Sequence, residues 1–169
     1  MALTRNTCYR VREKPPKSLS GHDPAQGREQ SREEARPVEI RGEVPLISFA
    51  QAGHWADVAD PFLPGVADRW VNHTSKVGSK AYALRIRGDS MEPGIIDGSI
   101  IIVDPDRRPE NGQIVVVRQN HDTEATVKRL VMDGSKRYLR PDNPRYPILE
   151  ASEDAVYCGV AVQVMRDLV

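Results

Sequence analysis

Three short stretches hold side chains whose types and spacing suit hydrolytic chemistry. The first is Arg87-Gly88-Asp89-Ser90-Met91-Glu92-Pro93-Gly94, where a serine follows an alternating apolar segment and sits among Gly and Pro. Such a turn lifts a hydroxyl out of a sheet and leaves nearby backbone N–H groups free to face a substrate oxygen. The same composition also serves an ordinary turn with no chemistry. The second stretch is Glu124-Ala125-Thr126-Val127-Lys128-Arg129-Leu130. On a strand, Thr126, Lys128 and Leu130 share a face, so the lysine stands between a polar and an apolar neighbour. Partial desolvation there favours the neutral amine. A neutral amine can take a serine's proton, as in the Ser–Lys variant of the catalytic triad. A solvated strand lysine is the plain alternative. The third stretch, Gln51-Ala52-Gly53-His54, offers a pair of small residues that fits a narrow protease cleft when extended.

The elements that must carry these residues are short strands. Tyr82, Leu84 and Ile86 alternate with Ala83, Arg85 and Arg87, which predicts a strand with one buried face. Ile100–Val103 and Ile114–Val117 are unbroken β-branched runs, expected to be covered on both faces. Residues 123–131 alternate less cleanly, and residues 156–165 form a last apolar run. Val44–Phe49 is apolar but interrupted by Pro45. Turn signals divide the runs: Asp97-Gly98, Asn111-Gly112, Asp133-Gly134 and Pro141-Asp142-Asn143-Pro144. The pattern predicts a mainly β fold without a long helix.

Composition limits the partners. The chain has 169 residues, and its 24 Lys+Arg are balanced by 24 Asp+Glu, so it lacks the net positive charge of a protein that grips nucleic acid with its whole surface. No run is long and apolar enough to span a bilayer, and the N-terminus has no signal-like apolar region, so a cytoplasmic protein is expected. Cys8 and Cys158 lie far apart without metal-ligand spacing, so neither a metal nor a cofactor is expected. Residues 1–43 are polar and without periodicity. They are expected to form a flexible, disordered arm, with a short helix over SREEAR as the alternative. Residues 44–169 are expected to form one compact β domain.

Taken together, VPLISFAQAGHW (44–55), LRIRGDSMEPGIIDGSIIIVD (84–104), NGQIVVV (111–117), EATVKRL (124–130), YLRPDNPRYP (138–147) and YCGVAVQVMR (157–166) are similar to the C-terminal domain of LexA and of lambdoid phage CI-type repressors. That self-cleaving Ser–Lys peptidase family also includes UmuD. The resemblance implies a LexA/signal-peptidase-like β domain that forms homodimers. It implies Ser90 as nucleophile, Lys128 as general base, and the backbone amides of Asp89 and Ser90 as oxyanion donors. It implies Ala52–Gly53 as the scissile bond, delivered by the cleavage segment 44–55 folding across the domain's own active site. It also implies, as co-protease, the RecA–single-stranded DNA filament of the SOS response to DNA damage. Cleavage should rise with pH as the amine, ordinarily titrating near ~10.4, loses its proton.

One departure stands out. The family's repressors carry a helix-turn-helix reader before the cleavage segment, and residues 1–43 lack the apolar periodicity such a domain needs. Direct DNA binding by this chain is therefore not expected. A repressor-derived role is favoured over a UmuD-like one because the small pair is Ala-Gly within QAG. A non-catalytic dimerisation or interaction module in prophage or damage-response regulation is the alternative. A signal-peptidase-like enzyme acting on other proteins would share the chemistry but would need a membrane anchor.

Overall fold

The computed structural model describes residues 38–55, 67, 69–119 and 121–167, all inside a compact unit that runs from Pro37 to Val169. Most of the expected arm, and the alternative helix over SREEAR, lie outside the described residues. Residues 42 and 43, placed in the arm by composition, already belong to the first strand.

Among the described residues, nine strands and one short helix follow in order: β1 (Gly42–Ile47), α1 (Phe49–Gly53), β2 (Arg69–His73), β3 (Tyr82–Arg85), β4 (Ile100–Asp104), β5 (Ile114–Arg118), β6 (Thr126–Asp133), β7 (Lys136–Arg140), β8 (Leu149–Glu150) and β9 (Val156–Met165). They form one sheet in the order β2-β1-β3-β4-β9-β5-β6-β7-β8. Among the described residues, only the β1–β3 pair is parallel. The fold is mainly β, as the residue pattern predicts.

Strand β9 joins the two halves of the sheet. Its first half pairs with β5 and its second with β4, with a register shift on each side. Gly159 lies between, at φ 149°, where an added Cβ would stand 2.7 Å from Val103 Cγ1 and 3.1 Å from the Asp104 carbonyl oxygen. Only a residue without a side chain lets β4 approach that closely.

The central strands owe their form to β-branched residues buried on both faces: Ile101, Ile102 and Val103 on β4, and Val115, Val116 and Val117 on β5, are all sealed from solvent. Strand β3 departs from the expected one-faced alternation. Tyr82 and Leu84 enter the cluster around Ile101 and Val116, while Ala83 packs with Val44 and Ile102 on the opposite face. The small alanine side chain lets a second apolar layer close over it. Pro45 does not break β1, because pairing with β3 begins only at Leu46, leaving β2 as the sole sheet partner at the proline. Strand β2 has no clear apolar alternation and was not expected. Pairing with β1 recruits it.

Candidate functional site

The loop from β3 to β4 carries Ser90. It leaves the sheet through Ile86, whose amide donates to Ser99 O at 2.7 Å and whose carbonyl accepts from Gly98 N at 3.0 Å. Gly88 then turns the chain at φ 80°, and its N–H donates to Asp97 Oδ1 at 2.7 Å. Ser90 follows, half-buried, before Met91 plunges into the core. The Asp89 amide turns toward its own carboxylate, whereas no protein acceptor is found for the Ser90 amide among the described residues.

Ser90 borders an open cleft. Phe49, Ile86, Met91 and Val127 supply its apolar lining, Thr126 a hydroxyl, and Arg87 and Glu124 opposite charges. Lys128 follows directly on β6 and is half-buried. Its Nζ donates to Thr126 Oγ1 at 3.0 Å and to the Val127 carbonyl at 2.9 Å. The lysine therefore folds back along its own strand toward a residue that lines the Ser90 cleft. Among the described residues it has no carboxylate partner. Burial without a counter-ion holds its amine below the ordinary lysine range. No hydrogen bond joins Ser90 Oγ to Lys128 Nζ in this arrangement.

The small pair is placed differently from expectation. Ala52 and Gly53 lie in α1, not in an extended segment, and both are buried. Ser48 caps the helix: its Oγ accepts from Gln51 N at 3.2 Å, while Gln51 Oε1 accepts from Ser48 N at 2.9 Å. That reciprocal capping box satisfies amides that would otherwise be orphaned. The helix docks beside the cleft, since Phe49 O accepts from Ala125 N at 3.1 Å. Trp55, at the segment's end, is anchored by its indole N–H on Lys80 O at 2.7 Å and by its ring against Tyr82. Phe49 thus reaches the Ser90 cleft, whereas Ala52 and Gly53 are not among its lining residues. Their peptide is held in helical form.

The connection from β7 to β8, residues 141–148, adds groups that sequence reasoning missed. Arg129 on β6 makes a bidentate pair with Asp142 at 2.7 and 2.6 Å. Asn143, buried, donates from Nδ2 to Asp89 O at 3.0 Å and from its backbone N to Ser90 O at 3.0 Å. The Asp89 carboxylate accepts from Arg145 at 2.6 Å and from the Tyr146 hydroxyl. Those bonds, with Tyr146 the larger influence, hold the Asp89 carboxyl below its usual range. From the sequence, Pro141-Asp142-Asn143-Pro144 reads only as a turn. A buried asparagine facing a remote loop leaves no local trace. Asp104, at the end of β4, is buried as a structural acceptor for the Gly78 and Asp106 amides and for Arg107.

Among the described residues no cluster of three or more His, Cys, Asp or Glu could hold a metal, and no helix is long and apolar enough to cross a membrane.

The β-sheet domain thus carries a loop-borne serine on a cleft and a half-buried lysine on the strand whose Thr126 and Val127 line it. The Peptidase S24-like family model matches residues 45–162, and the chain belongs to that family. The relatives it matches are named as transcriptional regulators or repressors. It is 39% identical over 134 residues to the HTH-type transcriptional regulator for conjugative element SXT of Vibrio cholerae, a match covering 76% of this chain and 62% of that protein. It is 38% identical over 128 residues to repressor protein C2 of Salmonella phage P22, covering 73% of this chain and 59% of the other. It is 34% identical over 157 residues to the LexA repressor of Methylococcus capsulatus, covering 80% and 77%. The chain thus spans about three-fifths of the length of the first two regulators.

Proposed function

We propose that the β domain, from β1 onward, acts as the peptidase and dimerisation domain of a LexA/CI-like repressor and cuts its own chain between Ala52 and Gly53. The observation that carries this reading is Lys128: a half-buried amine with no counter-ion, hydrogen-bonded to Thr126 on the cleft that Ser90 borders. In the neutral form, Lys128 Nζ takes the proton of Ser90 Oγ, and Oγ adds to the Ala52 carbonyl carbon. The amides of Asp89 and Ser90 receive the resulting oxyanion. The Ala52–Gly53 C–N bond then breaks, and the Lys128 ammonium returns its proton to the departing Gly53 amine. Water, deprotonated by the same lysine, hydrolyses the Ala52–Ser90 ester and regenerates both groups. Helix α1 must unwind for this, because the scissile peptide is not extended in the docked form. Any partner that prefers the unwound pose accelerates cleavage by population shift. By family resemblance, that partner is the RecA–single-stranded DNA filament.

Incubation of the pure protein at alkaline pH, followed by mass spectrometry, tests the reading. Fragments of 52 and 117 residues are expected, and Ser90→Ala should leave the chain whole. A new N-terminus other than Gly53 would overturn the site assignment. A second reading, a non-cleaving or UmuD-like dimerisation module, is favoured by the capped helix and the complete burial of Ala52. Its non-cleaving form predicts an intact chain at every pH, and either form predicts a dimer mass unchanged by Ser90→Ala.

A further inference from the structure

The geometry points to Asn143 as a positioning residue that aims the Ser90 amide, with its loop acting as a brace between the nucleophile's loop and the strand of the base. This inference rests on the peptidase reading above and deepens it. The first observation is the Asn143 Nδ2 bond to Asp89 O at 3.0 Å. Asp89 O and Ser90 N belong to one peptide unit. That unit is planar and trans, so its carbonyl and its N–H point in opposite directions. Fixing the Asp89 carbonyl therefore fixes the direction of the Ser90 N–H, one of the two proposed oxyanion donors. The Asn143 backbone N–H holds the next carbonyl, Ser90 O, at 3.0 Å, so both peptides flanking the Ser90 Cα are pinned by one residue.

The second observation is that Asn143 is itself held in place. It is only 6% exposed. Its Oδ1 accepts from the Arg145 amide at 3.1 Å and from Arg145 Nε at 3.4 Å, which orients the side chain so that Nδ2 faces the serine loop. Arg145 continues to the Asp89 carboxylate, joined there by the Tyr146 hydroxyl. The third observation is the neighbour on the other side. Asp142 is bound bidentately by Arg129, the residue after Lys128. Covalent and hydrogen bonds thus run from Lys128 through Arg129, Asp142 and Asn143 to Asp89 and Ser90. A loop that touches neither a scissile bond nor a proton in flight sets the relation between base and nucleophile.

The test measures the self-cleavage rate of the full chain across pH for wild type, Asn143→Ala and Asn143→Asp. The aspartate keeps the shape and the acceptor for Arg145 but lacks the donor. Both variants should lower the high-pH plateau by about tenfold or more, a fraction of what losing an oxyanion donor outright costs. The midpoint of the pH profile should not move, because Lys128 keeps its surroundings. Mere loosening of the domain would instead admit water to Lys128 and shift the midpoint to higher pH. Circular dichroism checks folding. If the Asn143 variants do not fold, the double variant Arg145→Gln/Tyr146→Phe decides, since both side chains lie at the surface. It should lower the plateau about threefold or more, again at an unmoved midpoint, having lost only the outer bonds. A wild-type plateau in the folded Asn143 variants, or in the double variant where it is the decider, overturns the inference. So does a lowered plateau whose midpoint shifts to higher pH. Absence of cleavage in wild type defeats the peptidase reading itself and the inference with it, and is distinguished because no variant is needed to see it.

Discussion

Replacing Lys128 with methionine separates a catalytic lysine from a structural one, because the two roles predict opposite changes in stability. The side chain's Nζ makes two hydrogen bonds, to Thr126 Oγ1 and Val127 O. At roughly 1 kcal/mol net each, their loss costs on the order of 2 kcal/mol. Against this stands the relief of half-burying an ammonium with no carboxylate partner, a penalty of a few kcal/mol after allowance for its remaining hydration. The apolar stem is nearly conserved in methionine, so no large cavity opens. The balance is a change of roughly 0–1 kcal/mol in the stabilising direction at neutral pH, or up to about 4 °C in melting temperature for a domain of this size. Cleavage should fall by about a hundredfold or more, the usual contribution of a general base. The pH dependence follows from the same burial. The folded amine titrates below its unfolded value, so the unfolded chain binds more protons between the two. Wild-type stability should therefore rise as pH climbs through the folded midpoint toward the ordinary lysine value, and Lys128→Met should lose that rise. Differential scanning calorimetry from pH 7 to 10.5 alongside gel-based cleavage measures both quantities. A Lys128→Met variant that melts several degrees lower and still cleaves at the wild-type rate would refute the argument.

Ser48→Ala removes the acceptor half of the capping box and should weaken α1 by about 1 kcal/mol. If unwinding of that helix precedes cleavage, the variant should cut about fivefold faster at any given pH, read from the first-order loss of intact chain. Gly159→Ala places a Cβ 2.7 Å from Val103 Cγ1 at a positive φ and should destabilise the domain by about 2–4 kcal/mol, measurable by urea denaturation.

The parts of the fold legible in sequence are those where residue chemistry is local. The β-branched runs of β4 and β5, the apolar β9, and the Gly-flanked turn bearing Ser90 each follow from a few neighbouring side chains. Lys128 was legible as a strand residue beside an apolar neighbour, though its lack of a counter-ion emerges only in three dimensions. What was not legible depends on distant partners. Strand β2 exists because β1 offers it an edge, and Ala83 is buried because Val44 and Ile102 converge on it. Residues 48–53 depart from the extended form for a local reason: Ser48 and Gln51 carry a capping signature, which prevails over the extended form that a small pair also allows. Asn143 is the clearest case, because its importance resides in a carbonyl more than fifty residues away in the chain.

Strand β1 lies on the N-terminal side of Ala52–Gly53, and it is wedged between β2 and β3 with Val44, Pro45 and Ile47 enclosed. Severing that bond therefore would not by itself liberate the upstream piece. The cut ends would remain clasped by sheet pairing until β1 peels away, making departure of the product, rather than scission, the slow event that decides when the two halves part.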